Sequence, residues 1–285
     1  MASQADDDGA GIRRLVVLLD ASRGSRAALE EAADLAARRG FELLGLFVEE
    51  EALLRSAGLP FAREIGPTSA SLRPLDPARI ERRLRAQARD MQQLLQGLTR
   101  RYAITASLEV ARGAVVAQAL AYITPTDLIV VGKTGWSSLR PGRLGSTPRS
   151  LVAQASLAVM VLGEAAGAEA HPTMVLFDHP EAGPRALAMA TQIARRDGRT
   201  LTVLLPPADP ETLADLRRRA ESWLAGRGVA AEMQELAGTG PEAIAGAVRS
   251  AGGRALVVSR ASPALAGQAG ARLIEAVAPP VVVVP

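Results

Sequence analysis

The chain has 285 residues, no cysteine, 48% hydrophobic residues and only 3% aromatics. That composition excludes disulfides, thiolate metal sites and thiol catalysis, and predicts a core of Ala, Val and Leu. The charge balance is nearly even, at 33 Lys and Arg against 30 Asp and Glu. The arginines are scattered along helical stretches among acidic residues, which reads as solvated helix faces and no nucleic-acid partner. No apolar run approaches the roughly 18–20 residues of a membrane span, so no membrane partner is expected. Residues 1–12 are small and acidic, unlike a basic-then-apolar signal peptide, and read as a flexible N-terminus of a cytoplasmic protein.

The first apolar run, Arg14-Leu-Val-Val-Leu-Leu-Asp20, predicts a strand ending in a carboxylate. A helix follows over 27–39 and a strand over 42–49. Residues 50–75, rich in Pro, Ser and Gly, read as an inserted loop with one helical turn. Asp76-Pro77 is a helix-start signal, a capping carboxylate before proline at the first helical position. The helix it opens places Ile80, Leu84, Met91, Leu94, Leu95 and Leu98 on one stripe, which packs on a sheet rather than lying on a membrane.

Strand 127–131 leads directly into Gly132-Lys133-Thr134-Gly135, then nine residues Trp136 to Leu144, then Gly145-Ser146-Thr147 and a helical segment 149–155. Glycines at a strand end let the backbone turn tightly and approach a ligand. A Gly-Ser-Thr helix start presents free N–H groups and a positive dipole end to the same space, which suits phosphate. The spacing matches neither the Walker loop nor the Gly-x-Gly-x-x-Gly dinucleotide turn.

The pattern then repeats. Thr173 to Asp178 is a second strand ending in Asp, followed by a helix over 184–196 and a strand over 200–205. Asp209-Pro210 repeats the helix-start device of Asp76-Pro77. Ala255–Ser259 parallels Leu128–Gly132, and Pro280–Val284 parallels Ala158–Leu162. Alternating strands and helices in each half predict two tandem parallel sheets covered on both faces. The boundaries read as residues 13–163, a small-residue linker 164–172, and 173–285.

The spacing Gly-x2-Gly-x9-Gly-Ser resembles the nucleotide loop of the universal stress protein family, in its ATP-binding branch. The strand ending in Asp20, the helix and strand after it, and Ala158–Leu162 extend the likeness over residues 13–162. The resemblance implies an α/β fold: two doubly wound five-stranded parallel-sheet domains of strand order 3-2-1-4-5. It implies ATP, with or without Mg2+, as a regulatory ligand. Asp20 and Val48 would then sit near adenine and ribose, and Val131 and Gly132 would line the nucleotide through the backbone. Gly135 would let the loop pass the phosphates, and Gly145, Ser146 and Thr147 would donate to them. Each residue also has a plainer role: Asp20 as a turn or cap residue, Ser146 or Thr147 as a helix cap.

Lys133, the single lysine, stays open between a phosphate contact and solvent, as do Arg140 and Arg143; Trp136 stays open between shielding a nucleotide and a subunit contact. In the second half Ser259 and Ser262 replace the two glycines, four residues separate Ser262 from Gly267, and Gln268 replaces the serine. That half reads as a degenerate copy used for packing. The two histidines, His171 and His179, form no metal spacing or triad, so at most slow ATP hydrolysis is expected. Alternatives are a nucleotide-free scaffold and an adenylating enzyme, whose Ser-Gly-Gly-x-Asp-Ser loop is absent from Asp20-Ala-Ser-Arg-Gly-Ser25. The apolar last strands, 159–162 and 281–284, predict pairing of the two halves through these edges and a homodimer beyond it.

Overall fold

A strand covered by helices on both faces must be apolar at every position, and the central strands of this chain are. The computed structural model describes residues 11–20, 22–65, 72–134, 143–163, 172–195 and 200–285. β1 (Arg14–Leu19) is followed by α1 (Arg23–Arg39) and β2 (Glu42–Glu50). α1 starts four residues before the expected 27 because Ser22 caps it, its hydroxyl accepting from the Ser25 N–H. Gly40, at φ 67°, ends it in the left-handed conformation that glycine adopts without penalty.

The insertion is more ordered than its composition predicts. It forms α2 (Glu51–Ala57) and the antiparallel pair β3 (Arg63–Ile65) and β4 (Leu72–Pro74). α3 (Pro77–Tyr102) opens as expected, with Asp76 accepting from the Ala78 N–H. Its stripe is largely buried: Ile80, Leu84, Met91, Leu95 and Leu98 lie in the core, with Leu94 packed against it. β5 (Ala106–Gly113), α4 (Val115–Tyr122), β6 (Asp127–Gly132), α5 (Ser146–Gln154) and β7 (Val159–Leu162) complete the first half.

The second half runs β8 (Thr173–Leu176), α6 (Gly183–Arg195), β9 (Leu201–Leu205), α7 (Pro210–Ala225) and β10 (Ala231–Glu235). It continues with α8 (Pro241–Ser250), β11 (Ala255–Ser259), a 3-10 turn over Pro263–Leu265, α9 (Gly267–Ala276) and β12 (Val281–Val284). Asp209 caps α7 by accepting from the Glu211 and Thr212 N–H groups.

All the main strands join one ten-stranded sheet in the order β10-β9-β8-β11-β12-β7-β6-β1-β2-β5. Every neighbouring pair is parallel except β12 and β7, which meet antiparallel, with Val281 opposite Val161 and Val283 opposite Val159. The period-2 alternation of side chains divides the core into two layers. Leu15, Val17 and Leu19 face one layer with residues of α1, α3, α6 and α7, while Val16 and Leu18 face the other with residues of α4, α5, α8 and α9. Both layers run across the β7–β12 seam without interruption.

Candidate functional site

β1 and β6 lie side by side and parallel, so their carboxyl ends open at one place. To one side of them lies β2 and to the other β7, reached by connections of opposite sense. This is the switch point at which doubly wound sheets present a ligand crevice. A cavity of about 410 Å³ lies there, within the roughly 300–1,000 Å³ of small-molecule sites.

Seven of the eight residues singled out from the sequence line this cavity. Asp20 follows β1, Val48 is near the end of β2, and Val131 and Gly132 end β6. Gly145, Ser146 and Thr147 reach it from the start of α5. Gly135, Trp136, Arg140 and His171 lie outside the described residues.

The start of α5 is built to leave donors open. Gly145, not Ser146 or Thr147, is the N-cap, with extended ψ of 164°, and no side chain caps the helix. Ser146 and Thr147 occupy its first two helical positions, and Pro148, with no N–H to offer, takes the third. The backbone donors that remain belong to Ser146 and Thr147, at the positive end of the helix dipole.

Asp20 makes a turn and does not cap α1. Its Oδ1 accepts from the Ser22 N–H at 3.0 Å, and its own N–H donates to Ser25 Oγ at 3.1 Å. Gly132 is required for a reason other than the one its motif implies. Its φ is not positive. A Cβ there would stand 3.2 Å from the backbone of Gly24, and a Cβ on Gly24 would stand 2.9 Å from the Thr134 carbonyl oxygen. The two glycines let the start of α1 touch the turn after β6, drawing Asp20 and Gly132 to the same wall.

Lys133 turns away from the crevice. Its Nζ donates to the carbonyl of Val277 at the end of α9, and the side chain is half-buried there. Burial lowers its pKa, opposed by the charge of Glu275. Arg260, the residue after β11, makes the matching contact to the carbonyl of Ala155 at the end of α5. Lys133 and Arg260 thus each cross the seam to a helix C-terminus, where the dipole is negative.

The second half carries its own occupant at the equivalent place. Ser262 Oγ donates to Asp178 Oδ2 at 2.5 Å and accepts from the Ala264 N–H at 3.1 Å. Burial raises the Asp178 carboxyl above the ordinary range, with the Ser262 bond working the other way. The carboxylate corresponding to Asp20 is therefore tied down by Ser262, which replaces a glycine of the first-half motif in the sequence.

Sequence reading missed one wall of the cavity. Leu53 of α2 lines it, as do Leu75 and Ile80, Arg83, Leu84 and Gln87 of α3. The spacing 80, 83, 84, 87 is one helical face, a signal present in the sequence but absorbed into the core stripe. Among the described residues no group of three or more His, Cys, Asp or Glu is placed to hold a metal ion. No helix among them is long and apolar enough to cross a membrane.

These features define a class: a doubly wound α/β protein with a cavity at the carboxyl ends of the strands of its first half. Residues 11–163 match the Universal stress protein family, and the chain belongs to that family. No curated protein sequence matches it. Among solved structures, a universal stress protein from Archaeoglobus fulgidus DSM 4304 is 18% identical, with a TM-score of 0.73 and 95% of each chain covered. A putative universal stress protein from Pseudomonas aeruginosa UCBPP-PA14 is 18% identical, with a TM-score of 0.61, covering 96% of this chain and 93% of that one. The cytoplasmic domain of a prokaryotic cation chloride cotransporter is 11% identical, with a TM-score of 0.55, covering 96% and 95%. At these identities the likeness is one of fold alone.

Proposed function

We propose that this chain binds ATP in the crevice of its first half and uses the nucleotide as a regulatory ligand. The observation that carries the reading is the convergence of Asp20, Val48, Val131, Gly132 and the Gly145–Thr147 helix start on one cavity. The residues fit the group. An uncapped helix start accepts phosphate, with the Ser146 and Thr147 hydroxyls as further donors. Apolar walls from Leu18, Leu46 and Val48 suit a flat base, and Asp20 lies within the same lining as a carboxylate acceptor for amino or hydroxyl hydrogens.

Countercharge is scarce. Arg83 is the cation among the described lining residues, set against the carboxylates Asp20 and Glu50, and Lys133 points to α9. A triphosphate would be held as its magnesium complex, the ion supplying countercharge beyond what Arg83 and the backbone donors of α5 offer. No general base stands among the described lining residues except the carboxylates Asp20 and Glu50, so rapid turnover is not part of the reading. In this reading residues 13–163 form the ligand-binding domain and 173–285 a degenerate partner domain.

Calorimetric titration of the full chain with Mg-ATP, and chromatography of nucleotide released from the purified protein by heat, test the proposal. Binding with one ATP per chain is expected. No retained nucleotide and no heat of binding would leave the scaffold reading in its place.

A further inference from the structure

The turn that carries the candidate phosphate donors is anchored from outside its own half. At its near end, Lys133 Nζ donates to the Val277 carbonyl, the C-cap of α9. At its far end, the Leu144 N–H donates to Glu275 Oε1 at 2.9 Å, across the seam. The following residue is Gly145, the N-cap of α5, whose N–H donates to the Lys133 carbonyl at 2.8 Å. The two flanks of the turn are thus bonded to each other, and each is bonded separately to the last turn of α9.

The contact is not a by-product of the seam's approximate symmetry. Lys133 and Arg260 are matched, each reaching a helix C-cap on the opposite half. Counted back from those C-caps, the position of Glu275 on α9 corresponds to Ala153 on α5, which has no carboxylate to offer. The seam departs from symmetry at the point where it meets the turn leading into Gly145–Thr147. A carboxylate so near an anion site opposes ligand charge. Its place is accounted for by the backbone N–H it accepts and by Lys133, whose charge it supports against burial.

We propose that Glu275 is a positioning residue: from the second half it holds the Leu144 amide, and through it sets where the Ser146 and Thr147 donors of the first half point. The consequence for ATP rests on the function proposed above. The second half is then part of the ligand site without touching the ligand, and occupancy of the crevice and docking of the seam favour each other.

The test compares wild type, Glu275→Ala and Glu275→Gln as full-length chains. Two quantities are read: amide hydrogen exchange at Leu144 without nucleotide, and Mg-ATP affinity by calorimetry. In Glu275→Ala, Leu144 exchange is expected to rise about tenfold or more as the local protection is lost. Mg-ATP affinity is expected to fall about 5- to 50-fold, the range of an ordinary coupling between sites. Glu275→Gln keeps an acceptor oxygen and restores both. Unchanged Leu144 exchange in Glu275→Ala overturns the proposal, as does faster exchange with unchanged Mg-ATP affinity. If wild type binds no ATP, the nucleotide reading fails by itself, and the exchange comparison still decides whether Glu275 holds the turn.

Discussion

Asp178 gives the second half a pH signature. Burial raises its carboxyl pKa, so the folded chain keeps a proton that the unfolded chain has already released. Stability therefore falls as pH climbs from the ordinary carboxylate range through the raised value; below that interval both states are protonated and the penalty vanishes. Asp178→Asn should stabilise the protein relative to wild type at about pH 7 and not at about pH 3. Urea denaturation at both pH values checks this, and an equal difference at the two would contradict it. Asp127 is the buried carboxylate of an ion pair. Its fully buried carboxylate accepts from Arg14 Nε at 2.9 Å and from Arg14 Nη2 at 2.6 Å, and also from the Thr124 N–H. Asp127→Asn leaves the half-buried Arg14 guanidinium short of its partner and should cost about 3 kcal/mol, the low end for broken buried pairs because Arg14 keeps some solvent. Asp20 was legible from its place at a strand end. The partners of Asp178 and Lys133 were not, since they come from residues 84 and 144 positions away.

The start of α5 and the turn after β6 carry the element-scale predictions. Ser146 and Thr147 were read as either caps or ligand donors; Gly145 takes the cap, which frees both hydroxyls. Ser146→Ala should therefore weaken Mg-ATP binding by only about 0.5–1.5 kcal/mol, because one neutral hydrogen bond is lost and the backbone donors stay. Its melting temperature should be nearly unchanged, since no cap is removed. Gly132→Val should act more strongly and by another route. Its side chain meets the Gly24 backbone at 3.2 Å, so α1 must shift, and overpacking of this kind costs about 1–3 kcal/mol. Denaturation should show that loss without any ligand present, whereas a purely ligand-facing glycine would show it only in binding. The helix caps at Asp76 and Asp209 were plain in the sequence because a cap is a local event between neighbouring residues. In the insertion after β2 one helical turn was read, whereas the β3–β4 pair was not, because its ladder joins residues 63–65 to 72–74 and leaves no local signature.

At the scale of the whole molecule, the two halves share one sheet through four apolar residues on each side of the seam. Arg39 strengthens the joint from the opposite layer, donating to the Gln192 and Ile193 carbonyls near the end of α6. Residues 11–163 and 172–285, produced separately and mixed, should co-elute as a complex, because each leaves a bare apolar edge when alone. Independent elution of two monomers would argue against the seam. Binding should saturate near one ATP per full chain, since in the second half Ser262 bonds Asp178, the counterpart of Asp20. What the sequence determined by itself was whatever depends on local order: apolar strand runs, helix faces, caps, the internal repeat and the glycine spacing. What only the tertiary structure decided was which of those features meet. Gly24 against Gly132, Lys133 against α9 and Glu275 against Leu144 are contacts between residues 108 to 144 positions apart. No local pattern encodes such contacts, because it is the joining of β7 to β12 and the packing of both helical layers that bring their backbones together.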